Sequence, residues 1–153
     1  MRQTLLRLKN SDVMNADVAV VDHNRPVREA LELMKKKHVG SVMITMEGRL
    51  CGIFTERDVL NRILDGDHNN WELRVHEVMT PDPETLHEEN SVAWALNRMA
   101  VGGFRHVPVV DENRRPVGMV SVRDIVEVIA GFFPEEIYNL PPEPTEFLPA
   151  HGG

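Results

Sequence analysis

The sequence predicts a mixed α+β fold built from two tandem β-α-β-β-α units, and three observations carry that prediction. One constant offset lays Val13-Met14 on Val78-Met79, Asp17 on Asp82, Val27 on Val92, Ala30-Leu31 on Ala95-Leu96, Met34 on Met99 and Val42 on Val107. Short apolar runs and helix-spaced apolar stripes alternate in the same order in both halves. Each half closes on one pattern, first Gly52-Ile53-Phe54-Thr55-Glu56-Arg57-Asp58 and then Gly118-Met119-Val120-Ser121-Val122-Arg123-Asp124. A one-residue slip precedes the second copy, in turns marked by Gly48 and Asn113, where an insertion costs little.

Residues 1–10 carry Leu5, Leu6 and Leu8 among basic side chains and read as a short packing arm. The first repeat, 11–65, begins with a strand at 18–21. Pro26 then suits the first position of a helix, in which Val27, Ala30, Leu31 and Met34 form one buried stripe. Lys35-Lys36-Lys37 close that helix as a solvated end, where positive charge suits the dipole. Strands at 41–45 and 50–54 follow, and a helix runs from Glu56 to about Leu64. The polar cluster Gly66-Asp67-His68-Asn69-Asn70 opens a linker, 66–74, which Trp71 and Leu73 pack down.

The second repeat, 75–133, repeats the order, with strands at 84–86, 106–110 and 117–121 and a helix at 91–101. Its final helix carries Ile125, Val126, Val128, Ile129, Ala130, Phe132 and Phe133 and leaves almost no polar face. A helix apolar on most sides is buried on most sides, so a subunit contact is expected there, joined by Trp94. In the tail, 134–153, Ile137, Tyr138 and Leu140 can dock back, and Pro141, Pro142, Pro144 and Pro149 favour an extended or disordered chain.

Composition excludes several classes. The formal net charge is −7 with no basic block, which argues against a nucleic-acid partner. No run approaches the 18 or so apolar residues of a membrane span, and the charged N-terminus does not read as a signal peptide. A lone cysteine, Cys51, reads as a core residue of its strand and fits a reducing compartment, so a cytoplasmic location is expected. The seven histidines make no zinc-ligand spacing, and the eight methionines read as packing. His38 and His106 read first as solvated loop residues, although His106, beside Arg105, could face a phosphate. No nucleophile has a paired base, so no catalytic residue, metal or catalytic cofactor is expected.

The closing pattern admits two readings. A strand passes into a helix through Thr55 or Ser121 at the N-cap, with an acid three residues on, which resembles a structural capping box. Arg57 and Arg123 fall in the first helical turn, a place the helix dipole disfavours for a cation by about 0.3–1 kcal/mol. An anion bound there would repay that cost. Free N–H groups, a hydroxyl and an arginine suit a phosphate, and Asp58 or Asp124, as pure acceptors, suit the two hydroxyls of a ribose. Gly52 and Gly118 would let a flat base approach the backbone.

Two such units, each opening on Val-Met and closing on G-h-h-[ST]-x-R-D, resemble a CBS-domain pair, or Bateman module, over about residues 11–132. The phrase His106-Val107-Pro108-Val109-Val110 followed by Pro116-Val117-Gly118 is typical of that family. The resemblance implies two sheets packed as a pseudo-twofold pair with two clefts, and disc-like homodimers formed through the helices. It also implies a regulatory, non-enzymatic role with an adenosine ligand such as AMP, ADP, ATP, S-adenosylmethionine or NAD. By that resemblance Asp58 and Asp124 would hold ribose, and Thr55 and Ser121 would meet phosphate. Arg57 and Arg123 would neutralise phosphate charge, backbone near Ala19 and Glu84 would read adenine, and Pro108 would flank the base. Met43 replaces Pro108 in the first copy, and Glu56, where the second has Val122, adds negative charge near the first copy's phosphate. One arginine and one helix end per site favour a single phosphate, hence AMP. The rival readings are a structural interaction module with empty clefts and a small phosphate-ester enzyme. With no effector domain expected on the same chain, the effector is expected to be a separate protein.

Overall fold

The computed structural model describes residues 6–64 and 70–132. A short helix, α1 (Asn10–Val13), leads into β1 (Val20–Asp22), α2 (Val27–Lys37), β2 (Ser41–Met46), β3 (Arg49–Thr55) and α3 (Glu56–Asp58). A π-helical stretch, Val59–Leu64, continues α3. Two 3-10 turns, Asn70–Glu72 and Val75–Glu77, precede β4 (Thr80–Pro81), α4 (Val92–Gly102), β5 (His106–Val110), β6 (Pro116–Ser121) and α5 (Val122–Phe132). The mixed α+β order is the one that the repeat predicts. Residues 1–5, the polar linker residues 66–69, Phe133 and the proline-rich tail, with the expectations attached to them, lie outside the described residues.

Local chemistry explains the boundaries. Val27, Ala30 and Met34 are buried on α2, and the helix starts at Val27. Pro26 is therefore its N-cap, extended at φ −69° and ψ 151°, rather than its first helical residue. On α4 the Ser91 hydroxyl accepts from the Trp94 N–H at 3.2 Å. Gly103, left-handed at φ 72°, ends that helix, and His38 does the same for α2 at φ 54°. The β2–β3 turn is two residues, Glu47 and Gly48, both at positive φ, as a type I′ hairpin requires. The β5–β6 turn is longer because Asp111 Oδ1 accepts from the N–H groups of both Asn113 and Arg115. That side-chain-nucleated turn accommodates the slip between the repeats.

The strand expected at 84–86 shrinks to a single parallel bridge, Leu86 to Val109. In the first half the Met43 N–H donates to the Ala19 carbonyl at 2.8 Å. Its counterpart, Pro108, has no N–H, so the ladder loses the bond that would hold Glu84. The strand expected at 18–21 is shifted to Val20–Asp22.

The lead segments of the two halves are exchanged. β4 pairs with β3, Gly52 opposite Pro81 and Ile53 opposite Thr80, to make a four-stranded sheet in the order β1-β2-β3-β4. Reciprocally, Asn15 bridges Met119 on the β5-β6 sheet. The cores follow this exchange: Val75 and Val78 pack with Val27, Met34, Val42 and Phe54, whereas Val13 packs with Leu86, Val92, Val107 and Ile125. A third, smaller cluster of Met43, Leu50 and Val110, flanked by Val18, Val20 and Met119, draws on both sheets.

Leu8 packs on the second core and Leu73 on the first, while Leu6 and Trp71 stay exposed. The final helix is two-faced, contrary to the expectation of an almost wholly apolar surface. Ile125 and Ala130 are buried, Arg123 and Glu127 form an exposed pair one turn apart, and Val126 and Phe132 are exposed apolar residues. Among the described residues, no helix is long and apolar enough to cross a membrane.

Candidate functional site

A groove of about 1440 Å³ is lined by residues of both halves. Val18, Ala19, Met43 and Met119 give it apolar surface. The start of α5 contributes Ser121 and Asp124, and the end of α2 contributes Lys35 and His38. Gly40, Glu56, Arg105 and His106 also line it. β6 delivers Ser121 opposite His106 in the ladder, so the imidazole and the helix cap are neighbours by register.

The first turn of α5 is only half satisfied from within. The Asp124 N–H donates to the Ser121 hydroxyl at 3.0 Å, and the Val122 N–H donates to the Arg105 carbonyl at 3.0 Å. The half-buried Asp124 carboxylate receives no hydrogen bond among the described residues. Arg123 reaches Glu127 at 3.2 Å, an exposed pair that offsets its unfavourable place at the helix start. Lys37 holds Asp17 at 2.7 Å on the groove's edge. Burial pushes the His106 imidazole below its ordinary value; Glu56 and Asp124 oppose that shift and Arg105 adds to it. His106 is thus a half-buried strand residue rather than a solvated loop residue.

The groove collects five of the sequence-derived candidates: Ala19, His106, Ser121, Arg123 and Asp124. Thr55, Arg57, Asp58, Glu84 and Pro108 are not on it. Asp58 is only 6% exposed. Its carboxylate accepts from the Thr55 N–H at 3.0 Å and from the Thr80 hydroxyl at 3.1 Å, with Arg62 Nε at 3.5 Å. The first copy closes a full capping box, because the Thr55 hydroxyl also accepts from the Asp58 N–H. Arg57 is exposed. Glu84 is tied to Arg98, whose guanidinium lies 5.4 Å over the Trp94 ring. Pro108 is buried in β5, opposite Met119.

Two expectations about the motif need correction. Glu56 lines the groove that carries the second copy's Ser121 and Asp124, not a pocket of its own copy, because the halves meet with their motif ends together. Its carboxylate lies against Gly40, where a β-carbon would stand 3.2 Å from Glu56 Oε1. Gly52 and Gly118 do not leave room for a flat base. A β-carbon on Gly52 would overlap the Met79 sulfur, and one on Gly118 would stand 2.6 Å from the Met14 sulfur. The Val-Met and Gly parts of the pattern are therefore two sides of one packing contact between exchanged segments.

Sequence reasoning missed Lys35, Arg105 and Asn15 as groove residues. They stand outside the closing motif: the β5–β6 ladder brings Arg105 to it, and the pairing of the halves brings Lys35 and Asn15. Among the described residues there is no cluster of three or more His, Cys, Asp or Glu side chains able to hold a metal.

A family model for the CBS domain matches residues 11–65 and 75–131. An uncharacterized 17.7 kDa protein of Acidianus ambivalens is 34% identical over 122 residues, covering 79% of this chain and 73% of that protein. Protein MJ1232 of Methanocaldococcus jannaschii is 28% identical over 132 residues, covering 86% of this chain. The match spans only 43% of that larger protein. In structure, the chain resembles the CBS domain pair of protein MJ0100 with a TM-score of 0.73 and 29% identity, covering 81% of this chain and 97% of that one. That pair was crystallised with 5′-methylthioadenosine and S-adenosyl-L-methionine.

Proposed function

This chain belongs to the CBS-domain family, of which it carries two tandem copies, and from that membership we propose that it is a regulatory module binding an adenosine-containing ligand in the Asp124 groove. The observation that carries the reading is the Asp124 carboxylate, half-buried at a helix start beside a groove and accepting no hydrogen bond among the described residues. The carboxylate faces the groove with acceptor capacity unused among the described residues, and a ribose diol supplies two donors at once. The adenosine ligands of the MJ0100 pair support the same ligand class.

In this reading the base lies over Val18, Ala19, Met43 and Met119, and backbone near Ala19 meets its edge. Ser121 and the first turn of α5 meet the 5′ substituent, with Arg105 and Lys35 as counter-charges. Asp17, Glu56, Asp124 and Glu127 stand against Lys35, Arg105 and Arg123 on the groove, with His106 kept toward its neutral form. That balance favours one phosphate over three, and AMP is the preferred ligand. The role is sensing rather than catalysis. Leu60 and Val126, at matching places on the two closing helices, are 61% and 55% exposed, and a second copy is the proposed cover. Ligand occupancy would shift the population of arrangements that an effector reads.

Thermal unfolding with and without AMP, ATP and S-adenosylmethionine tests the reading. Ligand at a hundred times its Kd stabilises by about 2.7 kcal/mol, which for a chain of this size raises Tm by about 5–11 °C. Asp124→Asn should weaken binding about tenfold to a hundredfold, the worth of its charge-assisted hydrogen bonds. No shift with any adenosine compound would favour a structural module with empty clefts.

A further inference from the structure

We infer that the chain takes one ligand, at the Asp124 groove, and that the related site on the Asp58 side is held shut by a latch of Asp58, Thr80 and Arg62. The inference rests on the nucleotide-binding reading and deepens it to a stoichiometry. Duplication supplies the same Thr/Ser-x-x-Asp element twice, yet the two acids stand in opposite states. Asp124 receives no hydrogen bond among the described residues. Asp58, buried, accepts at 3.0 Å from the Thr55 N–H and at 3.1 Å from the Thr80 hydroxyl, with Arg62 Nε at 3.5 Å.

Arg62 does more than balance charge. Its Nη1 donates to the Met79 carbonyl at 2.7 Å and the Val78 carbonyl at 3.3 Å. It thereby fastens the segment leading into β4 across the carboxylate that a ribose would need. Three substitutions between the copies produce the difference. Thr80 corresponds to Asn15, whose amide oxygen instead accepts from the Asp17 N–H at 3.0 Å. Arg62 corresponds to Val128, which can neither donate to a carboxylate nor bind a carbonyl. Glu84, tied to Arg98, stands where the open groove has the small Ala19. A ribose at Asp58 would have to displace a hydroxyl and part a guanidinium from two carbonyls. At Asp124 it displaces no protein group among those described.

Isothermal titration calorimetry of the whole chain with AMP, 5′-methylthioadenosine and S-adenosylmethionine reads the stoichiometry directly. The expected result is one ligand per chain in the wild type, and at least a tenfold loss of affinity in Asp124→Asn. Arg62→Met and Thr80→Val should each lower Tm without lowering affinity at the Asp124 groove. Two equivalents bound by the wild type, or one equivalent bound with unchanged affinity by Asp124→Asn, would overturn the inference while leaving the nucleotide reading intact. No heat from the wild type with any of the three compounds would overturn the nucleotide reading, and this inference with it.

Discussion

Replacing Gly118 by alanine tests the exchange of lead segments at its tightest point. The new β-carbon would stand 2.6 Å from Met14 Sδ, 3.0 Å from Met14 Cγ and 3.2 Å from the Asn15 carbonyl oxygen. The methionine can swing, but that carbonyl accepts from the Met119 N–H at 3.1 Å while the Asn15 N–H donates back to Met119 at 2.9 Å. The bridge must therefore yield by tenths of an ångström. Overpacking of this kind costs about 1–3 kcal/mol, or a fall in Tm of about 2–12 °C for a chain of this size. Urea and thermal unfolding of Gly118→Ala, Met14→Ala and the double variant form a cycle with an expected coupling of about 0.5–3 kcal/mol, because truncating Met14 removes the side-chain part of the clash and leaves only the Asn15 carbonyl. Gly131→Ala is the control: nothing lies within 4 Å of the position its β-carbon would take, and a helix gains about 0.5–1 kcal/mol from that change. If Gly118→Ala unfolds with the wild type, or is penalised equally with and without Met14, the two segments are not packed as described.

His106 gives the chain a pH dependence whose sign follows from burial. Its pKa is lowered in the fold by desolvation and by Arg105, against the opposing pull of Glu56 and Asp124, so the folded chain favours the neutral ring. The stability this contributes is present above the unfolded imidazole value, about 6.5, and drains away as pH falls through the depressed folded value. Unfolding midpoints measured from pH 8 to pH 5 should fall less steeply for His106→Gln; equal slopes would rule the residue out. Glu56→Val, which copies Val122 into the first repeat, removes a carboxylate from the groove and should raise ATP affinity relative to AMP about fivefold, or about 1 kcal/mol. Competition binding reads that ratio, and an unchanged ratio would detach Glu56 from the phosphate end. A charge on the exposed stripe, as in Leu60→Glu with Val126→Glu, should turn a dimer into a monomer by light scattering. A wild type that is already monomeric at micromolar concentration would remove the proposed second copy.

The elements were legible because each rests on short-range chemistry. The α2 stripe, the Ser91 cap and the Glu47-Gly48 turn are readable from spacing and residue type alone. The features misplaced by more than a residue or two each depend on a partner distant in sequence. The strand at 84–86 fails because Pro108 withholds a donor from across the sheet, and no local window contains both residues. The glycines were read as room for a ligand because nothing near Gly118 in sequence reveals Met14. The sequence marks the first copy as the weaker phosphate site through Met43 and Glu56, whereas the difference between Asp58 and Asp124 lies in Thr80 and Arg62, one of them beyond the linker. The capping-box and ligand readings of the motif were both open in the sequence. Asp58, with its box complete, fits the first, and Asp124, whose carboxylate accepts nothing among the described residues, fits the second in the proposed reading.

The exchanged segments also decide how occupancy of the groove could be felt elsewhere. Asn15, Asp17, Val18 and Ala19 line the groove, and Asn15 is hydrogen-bonded to β6 while Ala19 is hydrogen-bonded to β2. A single stretch of five residues thus spans the two sheets exactly where a ligand would press. The corresponding stretch on the other side, from Thr80 to Glu84, is pinned through Arg62 and Asp58 at one end and Arg98 at the other. A ligand can move an equilibrium only by binding one arrangement better than another. The 15–19 stretch, held by Lys37 through the Asp17 carboxylate and the Val18 carbonyl, is the one that lines the groove, so a signal would begin at residues 15–19. Hydrogen exchange should show protection rising there on ligand binding, with the 80–84 stretch unchanged; equal protection of both would mean that the latch does not hold.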